Sequence, residues 1–355
     1  LESRIYASNF FLSMQDSATI NEIRNLLSDD GLIHPQTAVL RSLSGGVSCD
    51  VVAVTDGDRS FVVKRALAKL KVESDWYADV GRNRYEHRFL SVAGRLVPNA
   101  VPKVLYHNDE KQYFCMELLE DGWKNWKSEL LNGVCHIDTA RHAGRILGLI
   151  HKGTAGNQKL AAEFATDQNF FELRLDPYLL ATGKKHEALR PLFEAEADRI
   201  SHTHRCLVHG DYSPKNLLAS GQGIKVLDCE VAWYGDPSFD LAFLLNHFLL
   251  KFIHHAPQRL PVKGLFDAAI DAYVEAGGFD GLATGSGPDS CRNLLLMLLL
   301  ARVDGKSPVE YLMKRPDKQD FIRSFVRSKL VAGFNGDTLK KTGQDWFNGV
   351  KSAFP

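Results

Sequence analysis

The sequence predicts an α+β chain in two lobes: a small five-stranded antiparallel lobe with one main helix, then a larger, mainly helical lobe. Three observations predict it. Residues 37–119 alternate short apolar runs with tight turns and contain one long amphipathic stretch. Beyond residue 120 the apolar residues recur mostly at helical spacing. The 355 residues exceed what one hydrophobic core usually holds. The boundaries follow: residues 1–36 form an N-terminal arm and helix, 37–119 the small lobe and 120–355 the large one.

Residues 1–16 read as an irregular arm. Thr19-Ile-Asn-Glu22 has the form of a capping box, Ile20, Ile23, Leu26 and Leu27 make an apolar stripe, and Gly31 supplies a stop. Strands are expected over 38–43, 49–55 and 60–65, with Ser44-Gly-Gly-Val-Ser48 and Asp56-Gly-Asp58 as the turns between them. A helix over 74–95 carries Trp76, Tyr77, Val80, Tyr85 and Phe89, and Pro98 and Pro102 end it. Strands over 103–107 and 112–119 flank an Asn108-Asp-Glu turn.

In the large lobe, Asp138 can cap a helix whose stripe is Ile146, Leu147, Leu149 and Ile150, ending near Gly153. A helical region through the 160s to 200s follows. Asp236-Pro237 opens the turn before an apolar helix over 239–253. Ser307-Pro-Val-Glu310 is a second capping box, with Pro at the first helical position. Trp346 and Phe347 place a last helix on this lobe. Leu294–Leu300 is too short to span a bilayer, and Phe239–Ile253 is interrupted by Asp240, Asn246, His247 and Lys251; both read as buried helices.

The chemistry concentrates in residues 207–230. Leu217-Leu218 and Ile224–Leu227 flank the turn Ser220–Gly223, which makes a β-hairpin. Asp211 and Asn216 precede its first strand and Asp228 ends its second, so three oxygen-bearing side chains come to one end of one hairpin. That is the arrangement phosphoryl transfer needs. Asp211 receives the proton of an attacking hydroxyl, while Asn216 and Asp228 hold Mg²⁺ on the nucleotide phosphates. The Gly45-Gly46 turn lets backbone N–H groups approach phosphate closely.

His209-Gly-Asp211-x-x-x-x-Asn216 followed by Asp228, with Gly235-Asp-Pro-Ser-Phe-Asp240-Leu-Ala downstream, resembles the aminoglycoside phosphotransferase and choline kinase family of the protein-kinase-like fold. The resemblance implies ATP or GTP as co-substrate. It implies that Lys64, closing the strand Phe61-Val-Val-Lys64, binds the α- and β-phosphates and pairs with Glu86, with Glu73 as the nearby competitor. Gly45, Gly46 and Ser48 would hold phosphates. Glu117-Leu-Leu119 would be the hinge whose backbone binds adenine. Asp240, beside His209, would support the catalytic loop, although an N-cap role for Asp240 is equally physical. Trp233 and Tyr234 are candidates to line the acceptor pocket, or to pack the core.

Some residues depart from protein kinases. The loop lacks the full Gly-x-Gly-x-x-Gly. Cys229-Glu230 stands where Phe-Gly follows the metal aspartate, and Gly210 replaces an arginine. About ten residues separate Asp228 from the apolar helix, with no Ala-Pro-Glu after Asp228, so the expected acceptor is a small hydroxyl-bearing molecule and not a protein. The competing reading is a nucleotide-binding scaffold without turnover; none of Lys64, Glu86, Asp211, Asn216 and Asp228 is missing for catalysis.

Composition sets the remaining bounds. Lys+Arg and Asp+Glu both total 43, which gives no general reason to expect nucleic-acid or membrane binding. The 6 cysteines form no Cys-x-x-Cys pair and read as reduced core thiols of a cytoplasmic protein. His202, His204 and His209 lack a carboxylate or cysteine at ligand spacing and read as turn and surface residues. Residues 1–14 do not read as a secretory leader.

Overall fold

The structure, a computed structural model, describes residues 18–43, 49–67, 81–258, 260–279, 281–282, 291–333 and 337–355. The expectations for Gly45, Gly46, Ser48, Glu73 and the arm 1–16 fall outside these residues, as does the 74–80 portion of the expected helix. Two compact units emerge, one from Leu1–Val92 and Pro102–Asp121, the other from Ala93–Val101 and Gly122–Pro355.

In the first unit, helix α1 (18–29) precedes strands β1 (Val39–Ser42), β2 (Cys49–Asp56) and β3 (Arg59–Ala66). Helix α2 (Arg82–Leu96) and strands β4 (Val104–Asn108) and β5 (Tyr113–Glu117) complete it. The five strands pair antiparallel in the order β1-β2-β3-β5-β4. Ile23 and Leu27 of α1 pack with Val52, Val54, Phe61 and Val63, so this helix belongs to the core of the sheet. Its expected capping box is not its start. Helix already runs at residue 18, and the Glu22 carboxylate accepts from Arg65 Nη2 at 2.8 Å.

In the second unit, α3 (Ile137–Thr154) buries Ile146, Leu147 and Ile150 of the expected stripe. His136 is its N-cap, and Asp138 sits in the first turn paired with Arg141. Helical segments then run from Gln158 to Ser201, including π-helical turns over Phe171–Leu180 that contain Pro177. Four short strands follow: β6 (Cys206–Val208), β7 (Leu217–Ser220), β8 (Gly223–Val226) and β9 (Trp233–Gly235). Strands β7 and β8 form the expected hairpin, and β9 pairs antiparallel with β6. Helix α4 (Ser238–His255) is buried from Ser238 to Ile253. It is followed by α5 (Val262–Glu275), α6 (Arg292–Asp304), α7 (Pro316–Val331) and α8 (Leu339–Ala353), the last burying Trp346 and Phe347.

Helices α3 and α5 pack backbone to backbone. A Cβ at Gly144 would lie 2.0 Å from the carbonyl oxygen of Ala269, so only glycine allows the approach. The second capping box does not open a long helix. Ser307 accepts from Arg302 through its carbonyl and hydroxyl, Glu310–Leu312 makes a single 3₁₀ turn, and the next helix begins at Pro316. None of the six cysteines is joined to another in a disulfide, and five of them are buried. Among the described residues, no helix is long and apolar enough to cross a membrane.

Candidate active site

The first unit contributes a buried ion pair. Lys64 lies on β3 opposite Val51 of β2 and Phe114 of β5. Its Nζ donates to Glu86 Oε1 on α2 at 2.7 Å. Both residues are buried, at 5 % and 1 % exposure, where an opposite charge in direct contact is what makes a buried lysine tolerable. Glu117 ends β5; its N–H donates to the Lys103 carbonyl at 2.8 Å, which commits that donor within the sheet. Leu119 lies just beyond the strand and is half-buried.

In the second unit the segment after β6 is held by buried carboxylate and imidazole. Asp240, on the first turn of α4, accepts from the N–H of His209 at 2.7 Å and of Gly210 at 2.9 Å. The helix start is capped instead by Asp236, whose Oδ1 accepts from Ser238 N at 2.8 Å. His151, which the sequence reading missed, stands 3.3 Å from Asp240 and 3.0 Å from the Tyr273 hydroxyl. His209 accepts the Asp211 N–H on Nδ1 at 3.1 Å and faces the Leu227 carbonyl with Nε2 at 3.0 Å. Burial lowers its pKa, and a neutral ring with the proton on Nε2 satisfies both contacts. One imidazole thus ties the Asp211 loop to the end of β8.

Gly210 makes the turn with φ +76°, and a Cβ there would lie 2.5 Å from the Val231 carbonyl oxygen. Asn216 Nδ2 donates to the Asp211 carbonyl at 3.1 Å, which fixes the amide with its oxygen turned away from that bond. Leu227 N–H donates to the Asn216 carbonyl at 3.0 Å. Asn216 and Asp228 therefore leave the hairpin at the same end. Asp228 has φ +60°, a left-handed conformation uncommon outside glycine, asparagine and aspartate. Two oxygen-bearing side chains at one end of a rigid hairpin fit a hard divalent cation such as Mg²⁺.

Arg174, on the π-helical turns, is a second residue the sequence did not single out. Its Nη2 lies 3.2 Å from Asp211 Oδ2 and its Nε donates to the Gly210 carbonyl. No spacing motif marks it; π-helical turns, which gather at functional sites, are its structural signature. Asp211, one-fifth exposed, also lines a cavity of about 100 Å³ with Ser213, Lys215, His247, Arg302 and Tyr311.

Trp233 and Tyr234 do not line it. Both are buried on β9: the Trp233 indole stacks on Phe170 and donates to Asp167 at 2.9 Å, and the Tyr234 hydroxyl reaches the carbonyls of Thr154 and Arg205. They are packing residues. His202 and His204 are exposed and pair with Asp198 and Asp167. Among the described residues the histidines that approach one another around a carboxylate are His87 and His107, stacked beside Asp109.

A sequence profile of the phosphotransferase enzyme family matches residues 39–279. The chain is 26% identical over 251 residues to the methylthioribose kinase of Pectobacterium atrosepticum, covering 62% of each chain. It is 27% identical over 247 residues to that of Bacillus velezensis, again covering 62% of each. The chain thus spans about three-fifths of the length of these curated relatives. Among solved structures it is similar to the choline kinase LicA of Streptococcus pneumoniae, with TM-score 0.44 and 13% identity over 94% of this chain and 98% of that one.

Proposed function

The chain belongs to the phosphotransferase enzyme family, and from that premise we propose that it transfers the γ-phosphoryl group of ATP or GTP to a hydroxyl of a small metabolite. The observation that carries this reading is the setting of Asp211: Arg174, Asn216 and His209 hold its side chain and backbone, and its carboxylate lines a cavity with polar and cationic walls. In the proposed reaction the acceptor oxygen forms a bond to the γ-phosphorus as the bond to the ADP oxygen breaks. Asp211 orients the hydroxyl and takes its proton, which passes to solvent. Arg174 keeps the carboxylate in one orientation, and Asp240 holds the backbone of His209 and Gly210.

Asn216 and Asp228 would hold Mg²⁺. The ion, when bound, neutralises phosphate charge. Lys64, positioned by Glu86, would contact the nucleotide phosphates, as would the backbone at Gly45 and Gly46 with Ser48; the backbone near Glu117 and Leu119 would take the base. A small acceptor, not a protein, is favoured by the short path from Asp228 to α4. Val231–Gly235 is buried and its last three residues pair as β9, which leaves no long segment to seat a peptide. The methylthioribose kinases to which the chain is similar direct a first panel toward hydroxylated sugars.

The test is Mg-ATP-dependent ADP formation across a hydroxyl-metabolite panel. Asp211→Ala should lower turnover by about 10²–10⁴-fold while retaining nucleotide affinity. Full turnover by the folded variant would remove Asp211 from its role. Absence of ADP formation with every acceptor would favour the scaffold reading.

A further inference from the structure

The cavity beside Asp211 contains more buried cationic chemistry than phosphoryl transfer requires. Phe243, His247 and Lys251 follow one another at four-residue spacing on α4, and so share one face of a mostly apolar helix. Phe243 and His247 line the cavity. Lys251 places its Nζ 5.4 Å from the ring centroid of Tyr311, another lining residue. His247 and Lys251 are 6 % and 1 % exposed. Among the described residues four buried polar atoms here have no hydrogen-bond partner: His247 Nδ1, Arg302 Nε and the Tyr311 hydroxyl on lining residues, and Lys251 Nζ beside Tyr311. Buried polar groups are nearly always paired, so four orphans around one cavity mark a missing partner.

Charge says what the partner is. Lys127 lines the cavity and is engaged by Glu310 at 2.5 Å, while Asp211 is engaged by Arg174. Both lining carboxylates are thus committed. Lys215, Arg302 and Lys251 are left as an excess of positive charge. Burial, then Lys127 and Arg302, push the Lys251 ammonium down to about 7, the behaviour of a cation waiting among cations.

We propose that the acceptor carries an anionic group, a phosphate or a carboxylate, bound by Lys251, Arg302, His247 and Tyr311, while its hydroxyl faces Asp211. This rests on the kinase reading of the same site. A cationic amino alcohol or aminoglycoside would meet like charge there, and a neutral sugar would leave the donors unpaired.

The experiment compares ribose 5-phosphate and D-glycerate with ribose and ethanolamine. Binding is followed by calorimetry with excess Mg-ADP present, which keeps the phosphate of the probe out of the nucleotide site. ADP formation from Mg-ATP is followed in parallel. At least one anionic probe should bind tenfold or more tightly than ribose and ethanolamine. Lys251→Met and Arg302→Gln should each reduce that preference by about tenfold or more. Removing an unpartnered buried charge does not threaten folding, so Lys251→Met is a usable variant.

Ribose or ethanolamine binding as tightly as both anions would overturn the inference, as would a preference that survives in both variants. ADP formation with ribose or ethanolamine alone would overturn it and leave the kinase reading standing. Lys251-dependent binding of an anion with no ADP formed from any probe would support the anion site and count against turnover. Preference for ribose 5-phosphate assigns the site to phosphate, preference for D-glycerate to carboxylate.

Discussion

Lys64 and Lys251 are buried to nearly the same degree, one in each unit, and the chain surrounds them with opposite chemistry. Lys64 has Glu86 at 2.7 Å. Lys251 has no hydrogen-bond partner for its ammonium, an aromatic face at 5.4 Å and the cations Lys127 and Arg302 among the charges acting on it. A buried ammonium with its own carboxylate is a positioned tool, its charge settled before any ligand arrives. A buried ammonium without one leaves a demand that a ligand can meet. The difference separates a group that holds its geometry in the free protein from one whose binding energy is released on association.

The contrast can be broken most severely at the pair. Glu86→Gln should destabilise the protein in urea melts by up to about 3–5 kcal/mol, because it removes a buried carboxylate charge in direct contact with the Lys64 ammonium. Replacing both residues, Lys64→Met with Glu86→Leu, should restore most of that stability yet leave turnover depressed. If Glu86→Gln melts like the wild type, the pair is not the buried unit described.

At the other lysine the sign reverses. Lys251→Met should raise stability at pH 7 by about 2–4 kcal/mol, since it removes a buried charge with no partner. Folding lowers this lysine from 10.5 to about 7, so the unfolded chain binds the extra proton between those values. Wild-type stability should therefore climb as pH rises from about 7 toward 10.5, relative to Lys251→Met, and urea melts at pH 6, 8 and 9.5 check it.

The same proton sharpens the comparison on the ligand side. An anionic probe binds the ammonium form, so its dissociation constant should rise about three- to tenfold between pH 7 and 8, read by calorimetry. The charged and titratable groups that act on Lys251 are His247 and His254 on α4, Arg302 on α6, and Lys127, Glu310 and Tyr311. Burial and these cations hold His247 well below the usual imidazole range, so it stays neutral across this interval. The smallest effect belongs to Glu310→Gln. Its carboxylate is more than half exposed, so the ion pair with Lys127 should be worth less than about 1 kcal/mol in the melt, while freeing Lys127 should strengthen anionic binding.

The β7–β8 hairpin was legible because its evidence is local: two apolar runs, a glycine turn and three oxygen-bearing side chains within one short stretch. The first-unit sheet was legible for the same reason. What misled was also local. Both capping boxes have the right letters, but Glu22 answers to Arg65 and Glu310 to Lys127, tertiary partners that outbid the helix end. Trp233 and Tyr234 stand beside Asp228 in sequence, yet pairing of β9 with β6 turns them into core. Arg174 is 36 residues ahead of Gly210, on a π-helical register that ordinary helical spacing does not anticipate. The cationic cavity draws on Lys127, His247, Lys251 and Arg302 from separate stretches, so no window of sequence contains it. Pattern finds what neighbours build; it does not find what packing assembles.

Gly210 bears on ancestry. Its left-handed turn and the Val231 carbonyl leave no room for a first side-chain carbon. Protein kinases have at this place the arginine that reads a phosphorylated loop. An arginine placed in the present turn would be strained by its positive φ and would press its Cβ against the turn at Val231. Two structural moves would have to occur together, a flip of the turn and a retreat of Val231. Inheritance has thus closed one route to control by phosphorylation, and closed it with the smallest residue available.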